Sequence, residues 1–220
     1  MRRSDSFIAP LQDCHTRPSR GVALVASLAV LLLGTGLGTG LEYARAQAPH
    51  ADVPPAPAAP STPPPEPQDY RLDDYRKPVP LTLNGAKVLT ADAAADLWNT
   101  NAAIFIDVYP QAPKPPNLPA GTFWRDPVHR SIEGAHWLPN VGYGALSATL
   151  EEYFRTRLER LTGGNRDSPL VFFCLKDCWM SWNAAKRALE FGYRNVMWFR
   201  DGTDGWQELG YPLVDVAKDS

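Results

Sequence analysis

Short apolar runs alternate with amphipathic segments along the second half of the chain. Runs at residues 87–90, 103–107, 134–138, 169–173 and 195–199 predict five short strands. The run 103–107 stays apolar until it ends in an aspartate, which is typical of a central strand buried on both faces of a parallel sheet. The pattern therefore favours a parallel sheet that is covered on both faces.

Helical spacing of apolar residues appears between these strands, at residues 91–98 behind the capping residue Thr90, at 147–161 and at 180–191 before Gly192. Residues 201–205 predict a turn, and a short last helix is expected from Trp206. Strands that alternate with helices imply right-handed crossovers and a sheet covered on both faces. The sequence thus predicts a three-layer α/β/α fold around a mostly parallel sheet of about five strands.

The N-terminal part of the chain has the features of an export segment. Several arginines precede an uncharged apolar run at residues 21–41, and the small-x-small sequence Ala44-Arg45-Ala46 follows it. This order predicts a signal peptide at residues 1–46. The run is also long enough for an uncleaved N-terminal membrane anchor, which would then be the protein's one link to the membrane. Because the positive charge precedes the run, we expect the rest of the chain to be exported.

A proline-rich segment separates this region from the folded part. Residues 47–69 contain nine prolines and few residues able to build a core, so they predict a disordered linker. Residues 70–220 then form one domain, with a core at about 83–214. The formal net charge of −2 argues against a nucleic-acid partner.

Two cysteines lie where the fourth apolar run gives way to a helical pattern. Cys14 belongs to the export segment, so Cys174 and Cys178 are the only thiols left in the domain. In an oxidising compartment such a pair indicates a disulfide or a redox couple. Cys174 and Asp107 both follow predicted strands, where sites in parallel sheets lie. A zinc site is not predicted, because no second ligand pair stands nearby.

Five sequence blocks resemble, in order, those of rhodanese-type domains. The blocks are Ile104-Phe-Ile-Asp107-Val, Ile132-Glu-Gly-Ala-His-Trp-Leu-Pro139, Leu170-Val-Phe-Phe-Cys174, Gly192-Tyr-Arg-Asn-Val196 and the segment 202–213. The resemblance covers about residues 83–214. It implies a rhodanese-like fold, with Cys174 at the position of the catalytic cysteine.

The loop after this cysteine departs from the family pattern. A working rhodanese loop resembles Cys-x-x-Gly-x-Arg-Ser, where the arginine and backbone N–H groups bind an anionic substrate. The matching candidate residues here are Leu175, Lys176, Asp177, Trp179, Met180 and Ser181. They include no arginine, and one lysine does not replace a guanidinium fork. Thiosulfate-type sulfurtransferase activity is therefore the third of three hypotheses, and Asp177 is expected to cap the following helix.

The second cysteine and its tryptophan suggest a narrower group. Cys174-x-x-x-Cys178-Trp179 resembles the loop of rhodanese-like proteins named for a CXXCW motif and associated with PQQ-dependent catabolism, whose motif is one residue shorter. The resemblance implies a periplasmic accessory to quinoprotein alcohol oxidation. It also implies a PQQ-dependent dehydrogenase or a c-type cytochrome as partner, and redox chemistry or the binding of a PQQ- or haem-related cofactor as the role.

Two functions for the cysteine pair lead this interpretation. In the first, Cys174 attacks a disulfide or a sulfane sulfur, and Cys178 then displaces it to leave an internal disulfide. In the second, the disulfide is structural and fixes the loop. Trp179, in an exposed loop, and the proline-rich insertion at residues 110–127 then bind a quinone cofactor, a quinoprotein or a cytochrome.

Four residues outside the loop are supporting candidates. Arg125 and Arg130 are assigned to a proline-rich insertion, of which residues 110–127 are expected to lack regular structure. We expect this insertion to fold over the cysteine loop and supply the missing cation. At the ends of two strands, Asp107 is expected to make a structural hydrogen bond, and His136 to pack beneath the loop.

Overall fold

The computed structural model describes residues 62–219. The predicted export segment with Cys14, and residues 47–61 of the predicted linker, lie outside the described residues. Within 62–219, none of the helices has the length and apolar character needed to cross a membrane.

The described part of the chain contains seven strands and four helices. The strands are β1 (Lys87–Leu89), β2 (Ile104–Asp107), β3 (His129–Ser131), β4 (His136–Trp137), β5 (Leu170–Phe173), β6 (Val196–Phe199) and β7 (Val214–Val216). The helices are α1 (Ala91–Asn99), α2 (Ala148–Thr162), α3 (Trp179–Glu190) and α4 (Gly202–Glu208).

Five of the strands form one parallel sheet in the order β1-β6-β5-β2-β4. Successive side chains of a strand point to opposite faces. Phe172 and Trp198 therefore pack with α2 and α3 on one face, while Phe173 and Phe199 pack with α1 and α4 on the other. The predicted three-layer α/β fold with about five parallel strands is confirmed.

The helix boundaries follow local signals in the sequence. Thr90 Oγ1 accepts a hydrogen bond from the Ala93 N–H at 3.2 Å, so the predicted cap of α1 is present. Ser147 caps α2 through the Leu150 N–H at 3.3 Å, and Gly163 ends that helix in the left-handed conformation.

Two parts of the fold differ from the sequence prediction. β3 and β7 were not expected; they form a separate antiparallel pair in which Arg130 is in register with Asp215. Each strand has three residues and its partner lies more than 80 residues away, so neither leaves a local periodicity. The predicted turn at 201–205 is also wrong, because α4 already begins at Gly202. The two glycines indicate a turn locally. In the structure the Thr203 N–H donates to the Cys174 carbonyl, which satisfies one of the N–H groups that a helix start leaves free.

The last residues of the chain cover one edge of the sheet. Trp137 of β4 forms a parallel bridge with Lys218, and the Asp219 N–H donates to the Trp137 carbonyl at 3.0 Å. The Tyr153 hydroxyl of α2 donates to the Asp219 carbonyl at 2.7 Å. The edge strand therefore has a backbone partner on its outer side.

Residues 70–79, called the arm below, run over α3. The Arg71 N–H donates to Asn183 Oδ1 at 3.0 Å, and Asn183 Nδ2 donates to the Arg71 carbonyl at 2.9 Å. The same Nδ2 donates to the Gly142 carbonyl, also at 2.9 Å. One buried amide thus ties the arm and a loop to the helix.

The start of the arm is held by a second group of contacts. The Arg187 guanidinium donates to the carbonyls of Val141 at 3.0 Å and Gly144 at 2.8 Å, and lies 4.2 Å from the centre of the Tyr70 ring. The Tyr70 hydroxyl donates to the Glu190 carboxylate. Burial, followed by this hydrogen bond, raises the pKa of Tyr70 above its ordinary value, and burial lowers the pKa of Arg187.

Replacing Asn183 tests whether the arm depends on this amide. Asn183→Ala leaves the buried Arg71 and Gly142 groups without partners, so we expect a loss of about 2–4 kcal/mol in the free energy of unfolding by urea. Asn99→Ala is the matched control, because Asn99 is exposed at the end of α1; it should change stability by less than about 0.5 kcal/mol. Equal losses in the two variants would contradict the assignment.

Candidate functional site

The two cysteines of the domain form a disulfide at the junction of strand and helix. Cys174 follows β5, and Cys178 is the residue immediately before α3. Their Cα atoms lie 6.2 Å apart. Cys174 is 1% exposed and Cys178 is 2% exposed. In this state neither sulfur is open to a dissolved substrate.

The start of α4 holds the first half of the loop. The Thr203 N–H donates to the Cys174 carbonyl at 2.9 Å, and Leu175 forms an antiparallel bridge with Gly202. Gly202 has a φ of +51°, and a Cβ there would lie 2.2 Å from the Cys174 carbonyl oxygen. Glycine is therefore required at this position both by its backbone conformation and by the close approach.

Lys176 and Asp177 form the exposed tip of the loop. The Lys176 N–H donates to Asp204 Oδ2 at 2.8 Å, and its ammonium lies 3.8 Å from a Glu208 carboxylate oxygen. The expectation that Asp177 caps α3 is wrong. Asp177 adopts a left-handed conformation with φ +53°, and Cys178 occupies the N-cap without a side-chain cap bond.

The first N–H group of α3 is occupied by the arm. The Trp179 N–H donates to the Tyr75 carbonyl at 2.9 Å. Free N–H groups at a helix start could bind an anion, but here a carbonyl of the same chain is already bound. An oxyanion next to the cysteine pair would have to displace it.

Trp179 does not lie in an exposed loop, and that expectation is wrong. The residue is 3% exposed, and its ring packs edge-on against Trp182 with centroids 5.5 Å apart. The Arg71 guanidinium carbon lies 5.5 Å from the centre of the Trp179 ring. The arm covers this tryptophan, and sequence periodicity could not reveal the cover because the arm has no periodic pattern of its own.

Met180 and Ser181 are buried as well. Ser181 Oγ donates to the Cys178 carbonyl at 3.1 Å and accepts from Trp198 Nε1 at 3.0 Å. A Cβ at Gly142 would lie 2.3 Å from the Met180 carbonyl oxygen, so the loop containing Gly142 packs directly on the helix backbone. The arm, this loop and α4 thus surround the two cysteines and residues 179–181, while the loop tip at Lys176 and Asp177 stays exposed.

Asp107 anchors a buried polar cluster beside the cysteine strand. Its carboxylate accepts from the Tyr109 N–H at 2.8 Å, from Ser131 Oγ at 2.6 Å and from His129 Nε2 at 2.7 Å. The structural hydrogen bond expected for Asp107 is therefore present. The partners His129 and Ser131 were missed, although their alternate positions on β3 place both side chains on one face. The His129 ring lies against Trp137, with centroids 4.3 Å apart.

The other supporting candidates lie elsewhere. Arg130 donates to the Leu213 carbonyl at 2.6 Å on the β3–β7 pair, so the expectation that it covers the cysteine loop is wrong. Arg125 is exposed in the insertion. His136 does not pack beneath the loop: it lies on the edge strand β4, with Nδ1 3.2 Å from Asp219 Oδ2. The residues that cover the loop come instead from the arm.

Metal ligands are not grouped in the described part of the chain. Among residues 62–219, no cluster of three or more histidine, cysteine, aspartate or glutamate side chains is placed to hold a metal ion.

Comparisons with known proteins give similarity of structure only. No protein-family model and no curated protein sequence matches the chain. Similar solved structures include a thiosulfate sulfurtransferase from Pseudomonas aeruginosa, with 17% identity and a TM-score of 0.42 over 60% of this chain and 21% of that one. A polysulfide-sulfur transferase from Wolinella succinogenes shows 19% identity and a TM-score of 0.37, over 60% of this chain and 81% of that one.

A third similar structure is described differently. It is a protein of unknown function from Rhodopseudomonas palustris, described as a possible tyrosine phosphatase, with 17% identity and a TM-score of 0.37 over 59% of this chain and 85% of that one. The match to the Pseudomonas enzyme spans about a fifth of that enzyme's length. Similarity at this level carries no conclusion about activity.

A pair of glycines can separate backbone strain from close packing at the loop. Gly202 and Gly163 have similar φ angles of +51° and +59°, but a Cβ at Gly163 would meet nothing within 4 Å. We expect Gly163→Ala to cost about 1 kcal/mol in the free energy of unfolding. Gly202→Ala should cost about 1–3 kcal/mol more, because the methyl group meets the Cys174 carbonyl. Chemical denaturation of both variants measures the difference, and equal losses would show that α4 does not hold the loop closely.

Proposed function

We propose that this chain is a rhodanese-like accessory protein that handles sulfur through reversible oxidation of the Cys174–Cys178 pair. One observation carries the proposal: the backbone at both cysteines is held by hydrogen bonds that do not need the sulfur–sulfur bond. The Cys174 carbonyl accepts from Thr203, and the Cys178 carbonyl accepts from Ser181. The loop can therefore keep its shape in the dithiol state, as a reversible couple requires.

The small size of the closed loop supports the same conclusion. The cysteines are four positions apart, and closing so short a loop in the unfolded chain stabilises the folded state by about 2 kcal/mol at most. The start of α3 is already tied by Tyr75 and packed against Gly142. The disulfide therefore adds little to the stability of this junction of strand and helix.

The proposed reaction converts a disulfide substrate and the thiols of Cys174 and Cys178 into two released thiols and the internal disulfide. The Cys174 thiolate attacks one sulfur of the substrate, forms a mixed disulfide and releases the first thiolate. The Cys178 thiolate then attacks the Cys174 sulfur, releases the second thiolate and leaves the internal disulfide. The two protons of the cysteine thiols end on the two released thiols. Since both sulfurs are buried in the disulfide state, regeneration by a partner thiol requires the arm or the loop tip to move.

A structural disulfide in a binding module is the second candidate. It is favoured by the burial of both sulfurs and by the Tyr75 carbonyl on the first N–H of α3. The same carbonyl counts against thiosulfate-type transfer, because it takes one of the donors that an oxyanion at this helix start would use. The sulfurtransferase hypothesis remains third.

We extend the proposal to a place in metabolism on the resemblance of the Cys174-x-x-x-Cys178-Trp179 loop. The protein would be an exported, periplasmic accessory of PQQ-dependent alcohol catabolism, with a PQQ-dependent dehydrogenase or a c-type cytochrome as partner. A planar cofactor could stack on Trp179 after the arm has moved. If the dithiol protein neither reduces nor binds a c-type cytochrome or a quinoprotein in titrations, this extension fails.

The reduction potential of the pair is the decisive measurement. In a Cys14→Ser background, we expect a potential of roughly −270 to −180 mV in glutathione or dithiothreitol buffers, the range of exchanging protein dithiols. Cys178→Ser should trap a mixed disulfide at Cys174, because the resolving thiol is missing. Cys174→Ser is the matched control and should trap much less at Cys178, because the attacking thiol is missing.

Two other results would redirect the assignment. A potential below roughly −300 mV without any trapped species would support the structural disulfide. A persulfide that persists on Cys174 in the Cys178→Ser protein after incubation with thiosulfate would support sulfur transfer instead.

A further inference from the structure

A cleft of about 260 Å³ lies between the arm and the start of α3. Its lining residues are Thr62, Pro64, Arg71, Lys77, Pro78 and Trp179. Two of these side chains are basic and none is acidic. Since Trp179 directly follows Cys178, the cleft adjoins the cysteine pair.

The wall contributed by the proline-rich segment is fixed to the domain. Glu66 accepts hydrogen bonds from Thr82 Oγ1 at 2.5 Å and from the Asn84 N–H at 2.6 Å. These contacts hold the chain between Thr62 and the arm in place. The cleft is therefore bounded by anchored segments on both sides.

Trp179 contributes a buried donor that has no acceptor. Its Nε1 is buried and has no hydrogen-bond partner among the described residues. Buried donors are rarely left unpaired, because losing hydration without a replacement bond costs free energy. An indole N–H only donates, so the missing partner is an acceptor. The Trp179 ring lines the cleft, whose wall also carries two cations, so an anionic oxygen beside the ring would meet that need. Nε1 itself has almost no exposed surface, so this contact requires a small displacement of the ring or of the arm.

The charge of Arg71 is only partly offset by two exposed carboxylates. Arg71 Nε donates to the Asp73 carbonyl at 2.8 Å, which orients the guanidinium along the arm. The carboxylates of Asp73 and Asp74 approach it at 3.5 and 3.7 Å, but those side chains are 84% and 65% exposed. Ion pairs so open to water are weak. Lys77, which is exposed, adds a second positive charge.

The neighbouring cleft does not have this excess of basic side chains. It lies on the other side of Pro78 and is lined by Lys176 and Arg200 but also by Asp177 and Asp201. Arg200 Nε lies 3.6 Å from Asp201 Oδ1, and the Asp201 side chain is only 29% exposed, so this ion pair is less open to water than those of Arg71. Of these two clefts beside the cysteine loop, the one formed by the arm is suited to an anion.

We propose that the arm cleft binds a small oxyanion, with charge from Arg71 and Lys77 and a hydrogen bond from Trp179 Nε1. The rhodanese-like loop has no arginine, and the arm supplies cations at the same junction from a different part of the sequence. The ligand class is a free sulfur oxyanion or a small carboxylate. Binding needs no thiol and is independent of the redox reaction proposed above.

The indole resonance of Trp179 in a proton–nitrogen correlation spectrum reports on this cleft directly. Trp179→Phe assigns the resonance by its disappearance. The oxidised full chain is titrated with sodium sulfate, sodium thiosulfate or sodium acetate, with sodium chloride at equal ionic strength as the reference. We expect a saturable shift of the Trp179 resonance with at least one oxyanion, and the relative Kd values separate sulfur oxyanions from carboxylates.

A matched pair of charge variants locates the site. Lys77→Gln should weaken binding by about five- to tenfold, the loss expected for one charge-assisted contact. Arg76→Gln removes the same charge from an exposed neighbour that does not line the cleft, and should leave the Kd unchanged. A shift that does not saturate, that chloride reproduces, or that both variants weaken equally would overturn the proposal. The Cys178→Ser protein should keep the shift, so a failure of the redox function would leave this site standing.

Discussion

The cover over the start of α3 depends on one hydrogen bond, from the Trp179 N–H to the Tyr75 carbonyl. A helix start carries N–H groups that its own backbone cannot satisfy, and here the arm supplies the acceptor for the first of them. The contact draws residues 70–79 across α3 and buries the Trp179 ring. The disulfide is buried in the same arrangement, while Lys176 and Asp177 at the tip of the loop stay exposed.

This arrangement links access to the cysteines with the position of the arm. The arm is held by polar contacts, of which the Asn183 amide and the Arg187 guanidinium are the most buried, and by Val79, whose side chain lies in the core. Because Val79 belongs to the core between the sheet and α3, only the residues of the arm before it can leave the surface without disrupting the sheet. Regulation of the site would then act on the arm rather than on the strand that carries Cys174.

The sequence predicted what local periodicity encodes. Local patterns of consecutive residues were sufficient to predict the strands β2, β5 and β6 and the caps of α1 and α2. The cover of Trp179 was not predictable in this way, because Tyr75 and Trp179 are about a hundred positions apart in the chain. The β3–β7 pair was not predicted for the same reason, because its two strands lie far apart in the chain. The disulfide pair was identified by elimination, since the domain offers no other thiols.

The pairing of Lys218 and Asp219 with the edge strand has a consequence for association. An uncovered edge strand offers a row of free N–H and C=O groups to any extended chain. The tail adds backbone on the outer side of Trp137, and the Tyr153 hydroxyl secures it through the Asp219 carbonyl. The C-terminal residues therefore protect the sheet against strand addition at β4, so growth of this sheet into a larger assembly is blocked at that edge.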